Sequence, residues 1–422
     1  MLVAAYAACA VPSLPDTLLP ATRFGLDQLQ RFGWLGLAAL VVAVGFARPL
    51  AGSRTFARVL DRAARLATTA YGGVIVWASA TMIFWTFRSR TLNPDGAAFQ
   101  AVFEREVPGR GVFATHDEIL EFAVHSAAWQ LAGTRWGWSV ATTYQVIAAA
   151  AGGVFVVLLA HYARLIDPAR AGVLLVLTLA GGYVQLFFGD VENYTLTAVA
   201  ILAFFVAGER FLQHRTSVVW PSGWMAVAMM CHLLAGFLLP SLGYLWWIAL
   251  RRQDRRALVA GTAVFAAIIG ATLTVAQVFW GLPLERLLDS HASGHGGDYA
   301  GVIARPTLAH LWAQVNVLLL IAPAAVFLVP IALGGGEASE RRRHLAIATA
   351  GMLVFLVFWF PALGPVNDWN LFANVGIPVN LLVWTTALSA PNLTGRRTAL
   401  TAAALAGGLH SLAWILGNHG GS

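Results

Sequence analysis

Carboxylates and histidines carry the chemistry this sequence offers, because all 27 of its basic residues are arginine and no lysine is present for Schiff-base work. They fall in a few short stretches. Asn93-Pro94-Asp95-Gly96 holds one carboxylate in a tight turn, in which Pro and Gly set the backbone and Asp also suits a cap. Thr115-His116-Asp117-Glu118 leads through Glu121 into an apolar periodic run. Acids there favour a helix N-terminus, with Thr115 as the cap. Phe188-Gly189-Asp190-Val191-Glu192-Asn193-Tyr194 joins two apolar runs with almost no polar spacer. In an extended segment Asp190 and Glu192 share one side. His232 falls between two apolar runs, and Asn367-Asp368-Trp369-Asn370 lies in another short break.

Each stretch has a chemical and a bland reading. A carboxylate in a cleft can take a proton from an attacking hydroxyl, and its neighbours can orient the substrate. On that reading Asp95 and Asp190 are the catalytic candidates. Glu192, Asn193, Tyr194, Asp117, Glu118, His232, His291, Arg305 and Asp368 are candidates for substrate binding. The bland reading makes Asp95 a turn former and Glu118 and Glu121 helix-start residues. Glu121 and His125 are four apart on one helical face, too small a set to define a metal site. Asp289, His291, His295 and Asp298 lie among Gly294, Gly296 and Gly297; they leave a divalent metal open, but the glycines fit a mobile lid better. No organic cofactor is implied.

The elements that position these groups are helices in a bilayer. Hydrophobic residues make up 58% of the 422 and charged residues 11%, with mean hydropathy +0.69. A soluble domain carries roughly 25% charge, so the composition is that of a polytopic membrane protein. A span needs about 20 mainly apolar residues. Apolar runs near 33–47, 66–87, 138–161, 171–188, 194–208, 217–232, 234–250, 257–280, 310–332, 345–362, 375–389 and 398–416 predict an all-α bundle of about 11–13 spanning helices. The chain reads as a single membrane domain: N-terminal helices in 33–87, an acidic loop over 88–137, helices in 138–280, a lid loop at 281–309 and C-terminal helices in 310–422. Residues 1–32 lack the basic start of a signal peptide and are assigned no role. Cys9 and Cys231 are too few for a disulfide framework.

Charge orients the bundle. Alternate loops hold 18 of the 27 arginines, in clusters such as Arg251-Arg252, Arg255-Arg256 and Arg341-Arg342-Arg343, whereas 14 of the 20 acids lie in the opposite set. Arginine-rich loops face the cytoplasm, so the 88–137 loop is predicted to face outward from a bacterial cytoplasmic membrane. The sequence pI near 10.0 does not indicate a nucleic-acid partner, because the arginines form short interhelical clusters rather than a patch.

This layout resembles the GT-C superfamily of membrane glycosyltransferases, which includes the protein O-mannosyltransferases and the bacterial enzymes that add aminoarabinose to lipid A. The likeness covers most of the chain in topology and only short stretches in residues. It rests on an acid soon after a spanning helix, at Asp95 with Asp117 and Glu118 further on, and a second acidic spot at an outer junction, at Asp190 and Glu192. The resemblance implies sugar transfer from a polyprenyl-phosphate donor to a lipid, glycan or protein acceptor, with Arg305 and His232 as candidates to offset phosphate charge. The chain departs from the family pattern in an extra helix near 33–47 and in the wide spacing of its loop acids. A secondary transporter is the runner-up, but it would favour repeated halves and midplane charges, and no repeat is visible. An O-antigen polymerase or ligase is the other alternative, favoured by the late outward loop with its Arg and His.

Overall fold

A computed structural model of the chain describes residues 27–90, 117–280, 307–333, 339–359, 367–389 and 393–420, with positions 25, 92, 96, 97, 100, 103, 364 and 365 between them. Every regular element among the described residues is helical. In chain order they are α1 (Gly33–Gly52), α2 (Arg54–Ala67), α3 (Ala70–Thr86), α4 (Ile119–Trp136), α5 (Val140–Ile166), α6 (Ala171–Leu179), α7 (Thr195–Leu212), α8 (Val219–Cys231), α9 (Leu239–Arg251) and α10 (Arg255–Trp280). There follow α11 (Leu308–Ile321), α12 (Pro323–Leu333), α13 (Glu340–Phe358), α14 (Trp369–Ala373), α15 (Gly376–Ser389) and α16 (Leu393–Gly420).

Seven helices among the described residues are long and apolar enough to cross a membrane, or eight if α2 and α3 count as one bent span. The remaining passes are short or broken. The run expected as one helix over 171–188 is α6 followed by a 3₁₀ turn, Gly182–Phe187. The break falls at Gly181-Gly182, where Gly182 abuts the Leu320 carbonyl and leaves no room for a side chain. His232 separates α8 from a second 3₁₀ turn, Leu233–Leu238, which runs into α9.

Arg54–Ala67, read from sequence as part of a polar connection, is helical and meets α3 at 107°. Ser53 caps it by accepting the Phe56 N–H, and Thr69 caps α3 by accepting that of Gly72. Arg54, Arg58, Arg62 and Arg65 are all exposed, while Ala64 and Ala67 are buried, the pattern of a helix lying in a membrane interface.

The bundle has two chemically distinct ends. At one, Arg341 reaches both oxygens of buried Glu209 with its Nε and Nη2, at 2.9 and 2.6 Å. Arg252 donates to the carbonyls of Phe211 and Leu212, and Arg170 to that of Leu388, so arginines close the C-termini of α7 and α15. At the other end Ser89 N donates to Phe188 O at 2.7 Å and Arg90 N to Asn418 O at 3.2 Å, tying the exit of α3 to the turn before α7 and to the end of α16. Between the ends lie the large buried side chains, among them Phe155, Tyr183, Phe204, Phe355, Phe372 and Trp384. Within lipid these pack by shape rather than by expulsion of water. The α10 span is only 6% buried and faces lipid, whereas the α7 span is 72% buried and central.

Candidate active site at the acid-rich end

Glu118 stands at the N-cap position of α4, but its side chain makes no capping bond. It is buried and turned towards two other segments. Its Oε2 accepts from Asn193 Nδ2 at 2.9 Å, and its Oε1 lies 3.5 Å from His232 Nε2. His232 Nδ1 accepts the Leu234 N–H at 3.1 Å, which leaves the ring proton on Nε2, facing the carboxylate. Asn193 in turn accepts from the Tyr144 hydroxyl of α5 at 3.0 Å. The Leu233 N–H donates to Asp117 O, and the Tyr194 ring stacks on His232 at 5.1 Å. Segments 117–118, 193–194 and 232–234 are thereby wired into one network.

The second half of the cluster is built on α14. Asn370 Nδ2 donates to Asp190 Oδ2 at 3.3 Å and aims that carboxylate, which stays partly exposed. Asp368, at the start of the same helix, is buried. Burial, reinforced by the carboxylates of Glu118, Glu192, Asp117 and Asp368, holds the Tyr194 phenol well above its usual pKa. Tyr194 is therefore a hydroxyl donor among acids.

The turn that presents Asp190 depends on Gly189, which has φ +75°. An added Cβ would meet the Arg88 Cβ at 2.8 Å and the Gln145 Cγ at 3.2 Å. Both the left-handed backbone and the close approach require glycine. Gly189→Ala is expected to lower stability by about 1–3 kcal/mol, read as an earlier thermal transition in detergent.

Eight of the residues singled out from sequence thus lie at this end: Asp117, Glu118, Asp190, Glu192, Asn193, Tyr194, His232 and Asp368. Asp95, His291 and Arg305 lie outside the described residues, as do Asn93 and Pro94 of the Asn-Pro-Asp-Gly turn and most of the lid. Among the described residues no group of three His, Cys, Asp or Glu is placed to hold a metal ion.

Glu121 does lie in the first turn of α4, as expected, but its side chain is fully buried and caps a different helix. Oε1 accepts from Leu196 N at 2.8 Å and Thr195 Oγ1 at 3.2 Å, and Oε2 from Thr197 N at 3.0 Å and Thr197 Oγ1 at 2.6 Å. Burial pushes its carboxyl up to about 7, opposed by the bonds from Thr197, Leu196 and Thr195. The signal in the sequence is an omission: Tyr194, the residue before α7, cannot cap it, so the first N–H groups must find a distant acceptor. Sequence reasoning also missed Tyr144 and Arg88, the latter half-buried beside Gly189 with its guanidinium over the Trp85 ring at 3.9 Å.

His125 is the partner of Glu121 only through the backbone. Its Nδ1 donates to Glu121 O at 2.8 Å, its ring stacks on Tyr144 at 3.9 Å, and its buried Nε2, the lone-pair nitrogen of that tautomer, has no donor. Burial lowers its pKa to about 4. A histidine held neutral in the fold but free to charge on unfolding, near 6.5, gives stability that is fully present above 6.5 and is lost as pH falls towards 4. The loss reaches about 3 kcal/mol. In His125→Phe, thermal melts between pH 7 and pH 4 are expected to lose that part of the acid slope.

The helix order and the polytopic core amount to an all-helical membrane fold with a solved counterpart. Among solved structures, the chain is similar to the crystal structure of ArnT from Cupriavidus metallidurans bound to undecaprenyl phosphate, with a TM-score of 0.56 and 13% identity over 83% of this chain and 77% of that one. No protein-family model matches the sequence, and neither does any curated protein.

Proposed function

We propose that the protein is a membrane glycosyltransferase that moves a sugar from a polyprenyl-phosphate donor to an acceptor hydroxyl at the acid-rich end, on the outer face of the cytoplasmic membrane, a sidedness supported by the charge bias. The observation that carries this reading is the convergence of Glu118, Asn193, Tyr194 and His232 with Asp190 and Asp368 at one end of a GT-C-type bundle. The acceptor is a lipid, glycan or protein hydroxyl.

The reaction is an inverting displacement. The acceptor oxygen attacks the anomeric carbon, its proton passes to a carboxylate, and the bond from that carbon to the phosphate oxygen breaks, releasing polyprenyl phosphate. That phosphate is already a good leaving group, so one base suffices and no paired acid is needed. Asp95 is the proposed base. It lies five residues beyond Arg90 in sequence, after the segment anchored on Phe188 O and Asn418 O. Asp190 and Glu192 orient the acceptor, and the Glu118–His232–Asn193 network fixes the wall behind them. Charge on the departing phosphate is met by Arg305 or by Arg88, which sits where α3 leaves the bilayer.

The test is to give purified protein a polyprenyl-phosphate sugar and a membrane extract, comparing wild type with Asp95→Asn and Asp190→Asn. The roles fail if both variants transfer sugar at the wild-type rate. Uptake of a solute into liposomes with no lipid-linked donor would instead mark a transporter.

A further inference from the structure

At the arginine-rich end, remote from the acid cluster, a groove of about 580 Å³ opens between α1, α2, α6 and α16. Its volume is that of a ligand site rather than a packing defect. The walls are apolar, with Phe56 and Leu60 from α2, Val173 and Leu177 from α6, and Ala404 and Leu409 from α16. Its basic and hydroxyl lining groups are Arg397, Thr401, Ser53 and Arg170, the last also paired with Asp167 at 3.6 Å. The lining carboxylate, Asp61, is engaged by the Gly172 N–H at 3.1 Å. Arg397 is exposed, as are arginines 54, 58, 62 and 65 of α2.

We propose that this groove is a binding site for an anionic phospholipid of the leaflet on the arginine-rich side, with its phosphate between Arg397 and Arg170 and an acyl chain along α16. Two features select that occupant. From Arg397 to Leu412, both in the lining, α16 rises about 22 Å. A leaflet's hydrocarbon is about 15 Å deep, so the groove takes a headgroup edge and one leaflet's length of chain. The charge at its mouth is positive, and α2 lies across α3 at 107°, at the level where a phosphate sits. A zwitterionic lipid fills the same volume but gains less from the arginines.

Gly408 gives a clean way to close the groove. It lines the cavity, and a Cβ there meets nothing nearer than the Ala180 Cβ at 3.9 Å, so a larger side chain grows into the open space. The experiment is native mass spectrometry of the full-length protein titrated with dioleoylphosphatidylglycerol or dioleoylphosphatidylcholine. Wild type is expected to retain phosphatidylglycerol adducts with a clear preference. Gly408→Leu should lose adducts of both lipids, and Arg397→Gln should keep binding while its preference falls about fivefold, one arginine's share at a membrane surface. Equal retention of the two lipids by wild type would overturn the proposal, as would unchanged phosphatidylglycerol binding in Gly408→Leu. Displacement of the bound lipid by undecaprenyl phosphate, with no phosphatidylglycerol preference, would reassign the groove to the carrier's tail.

Discussion

Glu121→Ala is expected to cost about 3–5 kcal/mol, the largest single loss of stability at the acid-rich end. The substitution strands two backbone N–H groups and two threonine hydroxyls at the start of α7, all of which Glu121 now serves. The threonine groups have no ready replacement partner, since Thr195 and Thr197 are fully buried. The carboxylate also sits on the positive end of the helix dipole, an arrangement worth up to about 2 kcal/mol when partly buried. Glu121→Gln keeps an acceptor oxygen but loses the charge, so it should fall between wild type and alanine. Tryptophan fluorescence during heating in one detergent gives the order wild type, Gln, Ala. Because α7 carries Asn193 and Tyr194 at its entrance, the alanine variant should also disorder the network around Glu118.

Asp95→Asn should lower turnover by about 10²–10⁴-fold while leaving donor binding nearly intact, because a general base acts in the transition state and contributes little to the ground state. Asp190→Asn tests a different role. Asn370 aims Asp190, and a residue that orients the acceptor should raise the acceptor KM as well as lower kcat. Steady-state kinetics with the acceptor varied separates the two. A loss confined to kcat in Asp190→Asn would exchange the roles of these acids.

Much of this site was legible before any coordinates. The crowding of Asp190, Glu192, Asn193 and Tyr194 between two apolar runs marked a segment that solvation alone does not explain, and it lies at the junction where the network forms. The charge bias separated the two ends, because arginine and acid segregate along the sequence itself. What sequence could not supply was partnership across the fold. Glu118 looked like an ordinary helix-start acid, since an N-terminal carboxylate satisfies the local rule, and only tertiary packing turns it onto His232 and Asn193. Glu121 was legible as an acid but not as the cap of a helix 74 residues away. The interfacial helix Arg54–Ala67 was hidden by its arginines, because hydropathy reports spans and passes over helices that lie in the interface. The break at Gly181-Gly182 was equally hidden, since a close approach to Leu320 leaves no mark on hydropathy.

The most direct measurement follows the carrier. Wild-type protein in lipid nanodiscs, given undecaprenyl-phosphate-linked sugar and membrane extract, should release free undecaprenyl phosphate in step with the appearance of glycosylated acceptor. Asp95→Asn, folded and able to bind the donor, should release neither. If the donor stays intact with wild type in the presence of every acceptor fraction, while the same protein in liposomes moves a solute, the glycosyltransferase account is contradicted.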